Sequence, residues 1–448
     1  MVQIQKKLLS DNNIDGIMAV FKDFSNEYIF DEKSVIRRIK PPICDKCNSQ
    51  MVHNGYNEYS KQNLGNLKIG KYKCPNCKLN KEESKSSWIN MVSEVKEFYG
   101  SFALDCLDLD VSYDGMARIS KYMLSRGKDY FLDLAEDMLS EIDLPPIEFK
   151  DEIPIIHYDE QHPKRERTQK YRLTVLDGKS KRPIFEELTD SKDNPTIINF
   201  LSNLPTEDIS PFIVTDLDRR YGGVFKTLFG DNYIHQKCLF HLNQLITKMF
   251  PKNRTIYQEY VKYQFLNIFY ERGTELSFLE DSLQEKEVRL ELGLPAQKDW
   301  KKEKFKEFRK LLHDMEKSRR RRKENLPMNS YDKSLDNLEE LRKFVDEIDT
   351  NKINSNLWDK LDKRLKQIVA DFKYLTAFHW VPNAPATNNA IENYYSTSLK
   401  TNHKKKLRTD EGIIQQLKIS ALKRAGMLGK PPITFPGLLA KFRAISAT

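Results

Sequence analysis

The 448-residue chain has no run of 18 apolar residues, and its first fifteen residues, MVQIQKKLLSDNNID, lack the apolar core of a signal peptide. The first absence argues against a transmembrane helix, and the second argues against secretion. We therefore expect a protein that stays inside the cell.

Basic residues outnumber acidic residues only modestly in this chain. The chain is 39% hydrophobic and 31% charged, which is enough for real cores, and its length suggests two to four domains. The 74 Lys and Arg residues exceed the 65 Asp and Glu residues, giving a net charge of +9. Because the excess is locally clustered, it favours a polyanionic partner over an acidic small molecule.

Cysteine is scarce, but four of the six cysteines form two Cys-x-x-Cys pairs, Cys44/Cys47 and Cys74/Cys77. In a reducing compartment, two such pairs favour one tetrahedral Zn²⁺ over disulfides. A redox pair or unligated cysteines are the alternatives, and the presence of two pairs disfavours both. We predict a zinc ribbon over residues 42–86.

The pattern changes after Glu152 to short apolar segments separated by turns. Strands are predicted at 153–159, 171–176, 183–188, 212–215 and 233–235, with helices at 195–204 and from 224 onward after the break at 222–223. This order, β-β-β-α-β-α-β, predicts an α/β fold with a mixed sheet flanked by helices. Asp159 lies in the first strand, and Asp216 ends the fourth. A carboxylate at the end of a buried strand is costly unless it is paired or binds a metal.

Residues 251–375 show helical spacing and almost no strand pattern, so we predict an all-helical insertion. It contains one basic run, Arg319, Arg320, Arg321 and Arg322. A second run follows the insertion, at Lys404, Lys405, Lys406 and Arg408. Such runs are usually solvated faces, although contact with DNA phosphates is the competing interpretation.

The segment after the insertion, PATNNAIENYY, begins with residues typical of a helix start. Asn388 and Asn389 precede Glu392 by four and three residues, so all three are predicted to share one helical face.

Taken together, these motifs resemble those of DDE transposases with an RNase H-like core. Asp159, Asp216 and Glu392 match the acidic triad by order and context. The Asn-Asn-Ala-Ile-Glu form of the third motif resembles Mutator-like and related prokaryotic insertion-sequence transposases. So do Cys238-x-x-His241, the helical insertion and the N-terminal ribbon. The resemblance covers residues 150–425 well and residues 42–140 loosely.

The resemblance implies Mg²⁺-dependent or Mn²⁺-dependent DNA strand cleavage at element ends, followed by strand transfer to target DNA. In our assignment Asp159 bridges two ions, while Asp216 and Glu392 each bind one. The partners implied are double-stranded DNA and further copies of the chain, as a homodimer or higher homo-oligomer on DNA. In a prokaryotic host the protein is expected in the cytoplasm, associated with the nucleoid.

Several other acidic residues compete with the triad. Asp218 is two residues beyond Asp216, but Asp216 directly ends the apolar strand and is preferred. Glu160 is predicted to face the opposite side of its strand. Glu186 and Glu187, at the end of a hairpin strand, are interpreted as surface residues.

Further residues have weaker assignments. The resemblance places His241 near the active site, as a candidate for support together with Asn388 and Asn389; a structural histidine is the alternative. Cys238 is interpreted as a buried small apolar residue, because a zinc site there lacks two more ligands. Trp380 is a candidate for stacking a flipped base, against the more common role of a core tryptophan.

The predicted segments are 1–41, the ribbon at 42–86, a helical region at 87–148 with a candidate helix-turn-helix, the core at 149–250, the insertion at 251–375, and the remaining core with basic C-terminal helices at 376–448.

Two alternative functions remain. One is a domesticated DNA-binding regulator without transposition activity, and the other is a structure-specific nuclease with the same core.

Overall fold

The structure is a computed structural model, and it describes residues 28–30, 35–61, 65–82, 93–123, 126–147, 149, 153–161, 170–204, 210–294, 299–349, 352–400 and 409–437. The chain divides into two compact units. The first comprises residues 1–145 and 411–448, and the second comprises residues 146–410. None of the helices in these ranges is long and apolar enough to cross a membrane.

The first unit contains a five-stranded sheet and a group of helices. The strands are β1 (Tyr28–Phe30), β2 (Val35–Arg38), β3 (Val52–Lys61), β4 (Gly65–Lys73) and β5 (Asn80–Glu82). The long antiparallel pair β3–β4 forms its centre. The Asn54-Gly55 step, which resembles a hairpin turn in the sequence, lies inside β3, where the register shifts and Gly55 has φ of +78°. It is therefore a β-bulge, because glycine tolerates that dihedral angle.

Three helices follow the sheet: α1 (Ser93–Asp108), α2 (Tyr113–Ser120) and α3 (Lys128–Glu141). Ser112 caps α2 by accepting a hydrogen bond from the amide of Gly115, and Met116 is fully buried, whereas Ile119 is 40% exposed. Apolar residues of α1 and α3 also pack against Ile419 and Leu422 of the C-terminal helix. The role of α2 and α3 in DNA recognition stays a prediction.

The second unit is built on a mixed sheet with the strand order β10-β9-β6-β7-β8. The strands are β6 (Ile155–Gln161), β7 (Tyr171–Asp177), β8 (Pro183–Thr189), β9 (Phe212–Thr215) and β10 (Ile234–Lys237). The first three form an antiparallel meander, while β9 is parallel to β6, and β10 is parallel to β9. The predicted order of strands is confirmed, and the carboxyl ends of β6, β9 and β10 meet at one edge.

One face of this sheet is covered by α4 (Asn194–Leu201) and α5 (Arg220–Phe229), which bury apolar side chains against β6, β7 and β9. The glycine pair predicted to break the chain, Gly222-Gly223, instead lies within α5. The helix begins earlier because Asp218 accepts a hydrogen bond from the amide of Arg220 and so satisfies one of the free donors at its start.

Helix α6 (Leu239–Met249) follows β10 and leads into five helices: α7 (Ile256–Leu266), α8 (Gly273–Glu291), α9 (Trp300–Arg322), α10 (Tyr331–Asp346) and α11 (Ser355–Leu375). Apolar residues of α6, α7, α10 and α11 share one core. A single β-bridge, Tyr270 to Met328, is the one strand-like contact in the described part of this region. The predicted helical insertion is therefore confirmed as a mainly helical segment.

After the insertion, a short 3₁₀ turn (Ala377–His379) leads to α12 (Asn389–Ser398), which lies on the other face of the sheet. Helix α13 (Asp410–Arg424) follows. The predicted helix start near Asn388 is confirmed to within one residue.

A buried charged network stabilises the packing of α12 against the sheet. Arg172 on β7 is fully buried, and its guanidinium lies 2.6 Å from a carboxylate oxygen of Glu186 on β8. The rings of Tyr394 and Tyr395 each lie with their centroid 4.8 Å from this guanidinium, and the Tyr394 hydroxyl donates to Glu186 at 2.7 Å. The interpretation of Glu186 as a surface residue is therefore wrong, because its side chain faces α12. Glu187, one position along, is exposed.

We predict that Glu186→Ala lowers the free energy of unfolding by about 3–5 kcal/mol, since it leaves the Arg172 charge buried without its carboxylate. Glu187→Ala, on the same strand but exposed, should change it by no more than about 0.5 kcal/mol. Urea unfolding followed by tryptophan fluorescence measures both. Equal effects of the two substitutions would contradict the role assigned to this network.

Candidate catalytic and metal sites

The four cysteines of the first unit come together as a single cluster. Their sulfur atoms all lie within 4.8 Å of one another; two of the pairs, Cys44 with Cys77 and Cys47 with Cys74, are each 3.4 Å apart. A tetrahedral Zn²⁺ with bonds of about 2.3 Å places its sulfur ligands roughly 3.8 Å apart. These cysteines therefore fit a zinc ion.

The two Cys-x-x-Cys turns have the same backbone geometry. In each, the residue after the second cysteine adopts a positive φ, 53° at Asn48 and 63° at Lys78. Its amide donates to the carbonyl oxygen of the first cysteine, Cys44 or Cys74, at 2.8 and 3.1 Å respectively. Hydrogen bonding to Ser49 lowers the pKa of Cys47 to about 6 and favours its thiolate. At Cys77 the backbone hydrogen bond of Leu79 is instead outweighed by burial and the three neighbouring thiols, which raise its pKa to about 12.

In the second unit, Asp159 and Asp216 occupy equivalent levels of adjacent parallel strands. The pairing of β6 with β9 joins residues that are 57 apart, such as His157 and Val214. The same offset separates Asp159 from Asp216, which directly follows β9. Neighbouring strands lie about 4.8 Å apart, so the register alone brings the two side chains close.

The electrostatics of Asp159 reflect this arrangement. Burial raises the pKa of Asp159 well above its usual range, and the negative charges of Asp216, Glu160 and Glu392 raise it further. The backbone amide of Glu160 donates to the Asp159 carboxylate at 2.8 Å and acts in the opposite direction. All three predicted triad members therefore interact electrostatically around Asp159.

Glu392 lies in the first turn of α12, where the helix dipole favours a negative charge. Its Oε1 atom is 3.3 Å from Nε2 of His241, in the first turn of α6. That oxygen is buried and accepts no hydrogen bond of good geometry from the described residues. A buried carboxylate oxygen with spare acceptor capacity fits a cation ligand.

The carboxylate of Asp218, the competing candidate, is already hydrogen-bonded to Arg220. It accepts two hydrogen bonds from the Arg220 guanidinium, at 2.7 and 2.9 Å, and one from the Arg220 amide. These hydrogen bonds hold the pKa of Asp218 below its usual range. Asp216 instead accepts one backbone hydrogen bond, from the amide of Asp218 at 2.8 Å. This difference favours Asp216 over Asp218 as the free carboxylate.

Asn388 connects the helix that carries Glu392 with the strand that carries Asp159. It is fully buried, and its Nδ2 donates to the carbonyl of Tyr158, the residue before Asp159, at 3.0 Å. Its Oδ1 accepts from Nδ1 of His157 at 2.8 Å, and its amide donates to Cys238 Sγ at 3.1 Å. Both members of the Cys238-x-x-His241 motif therefore contact the segment that carries Glu392.

Asn388 and Asn389 do not share one environment. Asn389 is exposed, and no hydrogen bond of the described residues involves its side chain. The predicted roles of His241, Asn388 and Asn389 in supporting an active site stay predictions, although the first two lie where such a role requires them.

The three carboxylates do not form a closed metal cluster. Within the described ranges, the four cysteines are the one group of His, Cys, Asp or Glu side chains with three or more ligand atoms within 4.8 Å of one another. Mutual repulsion between like charges opposes a closer approach of Asp159, Asp216 and Glu392.

Of the DNA-binding candidates, Trp380 and the four arginines 319–322 lie in the described part of the chain. Trp380 is 65% exposed, with its ring 4.9 Å from that of Tyr331, so the alternative of a core tryptophan is wrong. The four arginines 319–322 form the last turn of α9, where Arg320 pairs with Glu316 and Arg322 with Glu324. Lys404, Lys405, Lys406 and Arg408 lie outside the described residues.

Sequence reasoning missed the residues that position α12. Arg172, Tyr394 and Tyr395 carry no motif, and the Tyr395 hydroxyl donates to the carbonyl of Asp159 itself, at 2.7 Å. The one available signal was the Tyr-Tyr pair directly after the Asn-Asn-Ala-Ile-Glu motif.

Comparison with known proteins gives one informative relative. The chain is similar to the insertion element ISM1 uncharacterized 48.3 kDa protein of Methanobrevibacter smithii, with 25% identity over 285 residues, covering 54% of this chain and 67% of that protein. No protein-family model matches the chain. The chain is thus related, at low identity, to a protein of an insertion element.

We predict that the purified protein contains about one zinc per chain, and that Cys74→Ser/Cys77→Ser loses it. Cys106→Ala, which removes a cysteine outside the cluster, should retain the metal. Mass-spectrometric metal analysis measures the content, and full zinc in the double variant would refute the site.

We also predict that Asn388→Ala destabilises the protein by at least about 1–3 kcal/mol, because its buried partners His157 and Tyr158 lose their hydrogen bonds. Asn389→Ala is the matched control and should have an effect within about 0.5 kcal/mol. Thermal unfolding compares them. If Asn389→Ala were the more destabilising, the contacts assigned to Asn388 would be wrong.

Proposed function

We propose that this chain is a DNA transposase of the DDE type, which cuts the ends of its element and joins them to target DNA. The observation that supports this proposal most strongly is that Asp216, at the level of Asp159 on the neighbouring parallel strand, and Glu392, on a helix, both act on the Asp159 carboxylate through their charges. The relationship to an insertion-element protein supports it independently.

The sheet order also agrees with an RNase H-like core. Three antiparallel strands are followed by two parallel ones, and the acids stand on the first strand, after the fourth, and on a helix beyond the insertion. A shared fold does not establish a shared function, so the proposal depends on the side chains at the site.

The carboxylates offer the hard oxygen ligands that Mg²⁺ or Mn²⁺ prefers. Asp159, Asp216 and Glu392 would hold these ions, which supply electrostatic stabilisation to the attacking and leaving oxygens of a phosphodiester. His241, with Nε2 3.3 Å from Oε1 of Glu392, is a candidate to support that carboxylate. Asn388 and Tyr395 act as positioning residues, because they hold α12 against the backbone of Tyr158 and Asp159.

The proposed reaction has two steps. Hydrolysis at an element end breaks the bond between phosphorus and a 3′ oxygen, leaving a 3′-hydroxyl and a 5′-phosphate. That hydroxyl then attacks a target phosphodiester, forms a new 3′ ester bond and expels the target's own 3′ oxygen. Both steps place negative charge where the three carboxylates converge, so the site must contain compensating cations.

DNA contact is proposed for surfaces outside this centre. The zinc ribbon and the exposed arginines at the end of α9 offer positive charge, α2 and α3 offer the candidate helix-turn-helix, and Trp380 offers an exposed ring for stacking.

We predict that Asp216→Asn reduces strand cleavage by at least about 100-fold, because the loss of one metal-binding charge removes several kcal/mol of transition-state stabilisation. Binding to element ends should persist or strengthen, since a negative charge near phosphate has gone. Asp218→Asn is the control and should be much milder. A labelled duplex carrying an element end, incubated with Mg²⁺ or Mn²⁺, is scored separately for gel shift and for nicking.

The two halves of this assay separate the candidates. Cleavage by Asp216→Asn together with loss of cleavage in Asp218→Asn would mean that the wrong acid has been assigned. A wild-type protein that binds the ends but never cuts with either metal would instead support a DNA-binding regulator.

A further inference from the structure

A cavity of about 720 Å³ opens beside the loop that carries Asp216, on the sheet face covered by α5. It is lined by β10, the start of α5 and one side of α11. Its charged or titratable lining residues are Arg219, His235, Lys237, Lys363, Lys366 and the two carboxylates Asp362 and Asp371.

Only part of this positive charge is neutralised within the protein. The Lys237 ammonium pairs with Asp371 at 2.8 Å, and Lys366 pairs with Asp362 at 2.7 Å. Both carboxylates are thereby used. Across the described part of the chain, neither Arg219 nor Lys363 has a carboxylate within salt-bridge distance.

The excess charge affects its neighbours. Burial and the nearby positive charge of Arg219 lower the pKa of Arg364, which is adjacent to Lys363 in the chain. Asp371 acts on Arg364 in the opposite direction, so only part of this repulsion is compensated within the protein.

The floor of the cavity has a free polar atom. His235 is only 3% exposed, and its Nε2 lies 2.8 Å from the hydroxyl of Thr215. Its Nδ1 is buried and has no hydrogen-bond partner among the described residues. The Thr215 hydroxyl donates to the carbonyl oxygen of Asp216 at 2.9 Å, so Nε2 of His235 donates to the Thr215 oxygen and Nδ1 is an acceptor. The donors free to bind an anion are therefore Arg219 and Lys363. Lys237, which is 6% exposed, lines the same cavity with its charge buried.

The cavity suits a phosphate better than a nucleobase. Its one aromatic lining residue is Tyr374, and the ring of Tyr374 is already approached by the ammonium groups of Lys237 and Lys373, at 5.3 and 4.7 Å from its centroid. A base would find no free ring for stacking. The free groups are charged donors, which recognise phosphate oxygens.

We infer that this cavity, which we call the flanking-phosphate pocket, binds backbone phosphates of the DNA strand next to the one that is cut. The inference rests on the proposed function. Arg219 is three residues beyond Asp216, and successive phosphates of a strand are separated by about 3.4 Å along the helix axis. The loop from Asp216 to Arg219 connects the sheet edge that carries the carboxylates with the face that carries the pocket, so we assign to the pocket phosphates that lie beyond the reacting one on the same strand.

The test uses the full chain and the salt dependence of duplex binding, measured by fluorescence anisotropy without a divalent metal. Each phosphate contact contributes about 0.9 to the slope of log affinity against log salt. Arg219→Gln/Lys363→Gln should reduce that slope by about 2 and weaken binding similarly for all sequences. Lys343→Gln, which removes an exposed lysine of α10 outside the pocket, should not change the slope by more than about 1.

A double variant whose slope matches that of Lys343→Gln, with an unchanged melting temperature, would overturn the inference. A calorimetric titration with inorganic phosphate is the second arm. Saturable phosphate binding that the double variant loses, without any change in DNA slope, would assign the pocket to a free anion and overturn the DNA assignment.

Nicking by the wild type in Mg²⁺ separates this inference from the proposed function. Normal nicking with an unchanged slope in the double variant rejects the pocket alone. A reduced slope without any nicking by the wild type rejects the transposase and keeps the pocket. No binding of duplex DNA by the wild type rejects both.

Discussion

The hydrogen bonds of one buried residue, Asn388, determine where the third carboxylate, that of Glu392, lies. They join residues that are 150 to 231 positions apart in the chain: the amide nitrogen binds Cys238, and the side chain binds His157 and Tyr158. Because a buried amide without partners is costly, the segment has few alternative positions. Asp159 is one residue beyond Tyr158, so the same contacts fix the placement of Glu392 relative to the first acid.

Repulsion among the three carboxylates is opposed by a buried network that stabilises the packing of α12 on the sheet. The negative charges of Asp216 and Glu392 act on Asp159 at the edge of the sheet, and this repulsion opposes the packing of α12 there. Behind that helix, the fully buried Arg172 lies against both Tyr394 and Tyr395 and pairs with Glu186. Replacing one partner of such a network leaves an uncompensated charge. The helix is therefore held by contacts that do not depend on the charge state of the acids.

Much of this fold is predictable from the sequence, because strands and helices follow local apolar periodicity. The strand order and the positions of Asp159 and Asp216 come from such patterns. Glu186 was misread because alternation along a strand does not say whether another helix covers its outer face. The glycine pair in α5 was misread because the helix starts earlier, at Arg220, whose amide donates to the Asp218 carboxylate. Asn388 directly precedes α12 and Asn389 is its first residue, and only the packed structure shows which of them faces inward.

The side chain of Gln236, on β10, forms hydrogen bonds with the backbone at the end of the helical insertion. Its Nε2 donates to the carbonyl of Leu375, and its Oε1 accepts from the amide of Phe378. The entropic cost of closing a loop rises only with the logarithm of its length, by about 0.6 kcal/mol for each doubling. With both ends fixed at one side chain, helices can be gained or lost between α6 and α11 over evolutionary time without moving the carboxylates. The length of the helical insertion can therefore change without disturbing the contacts of Gln236 where the insertion ends.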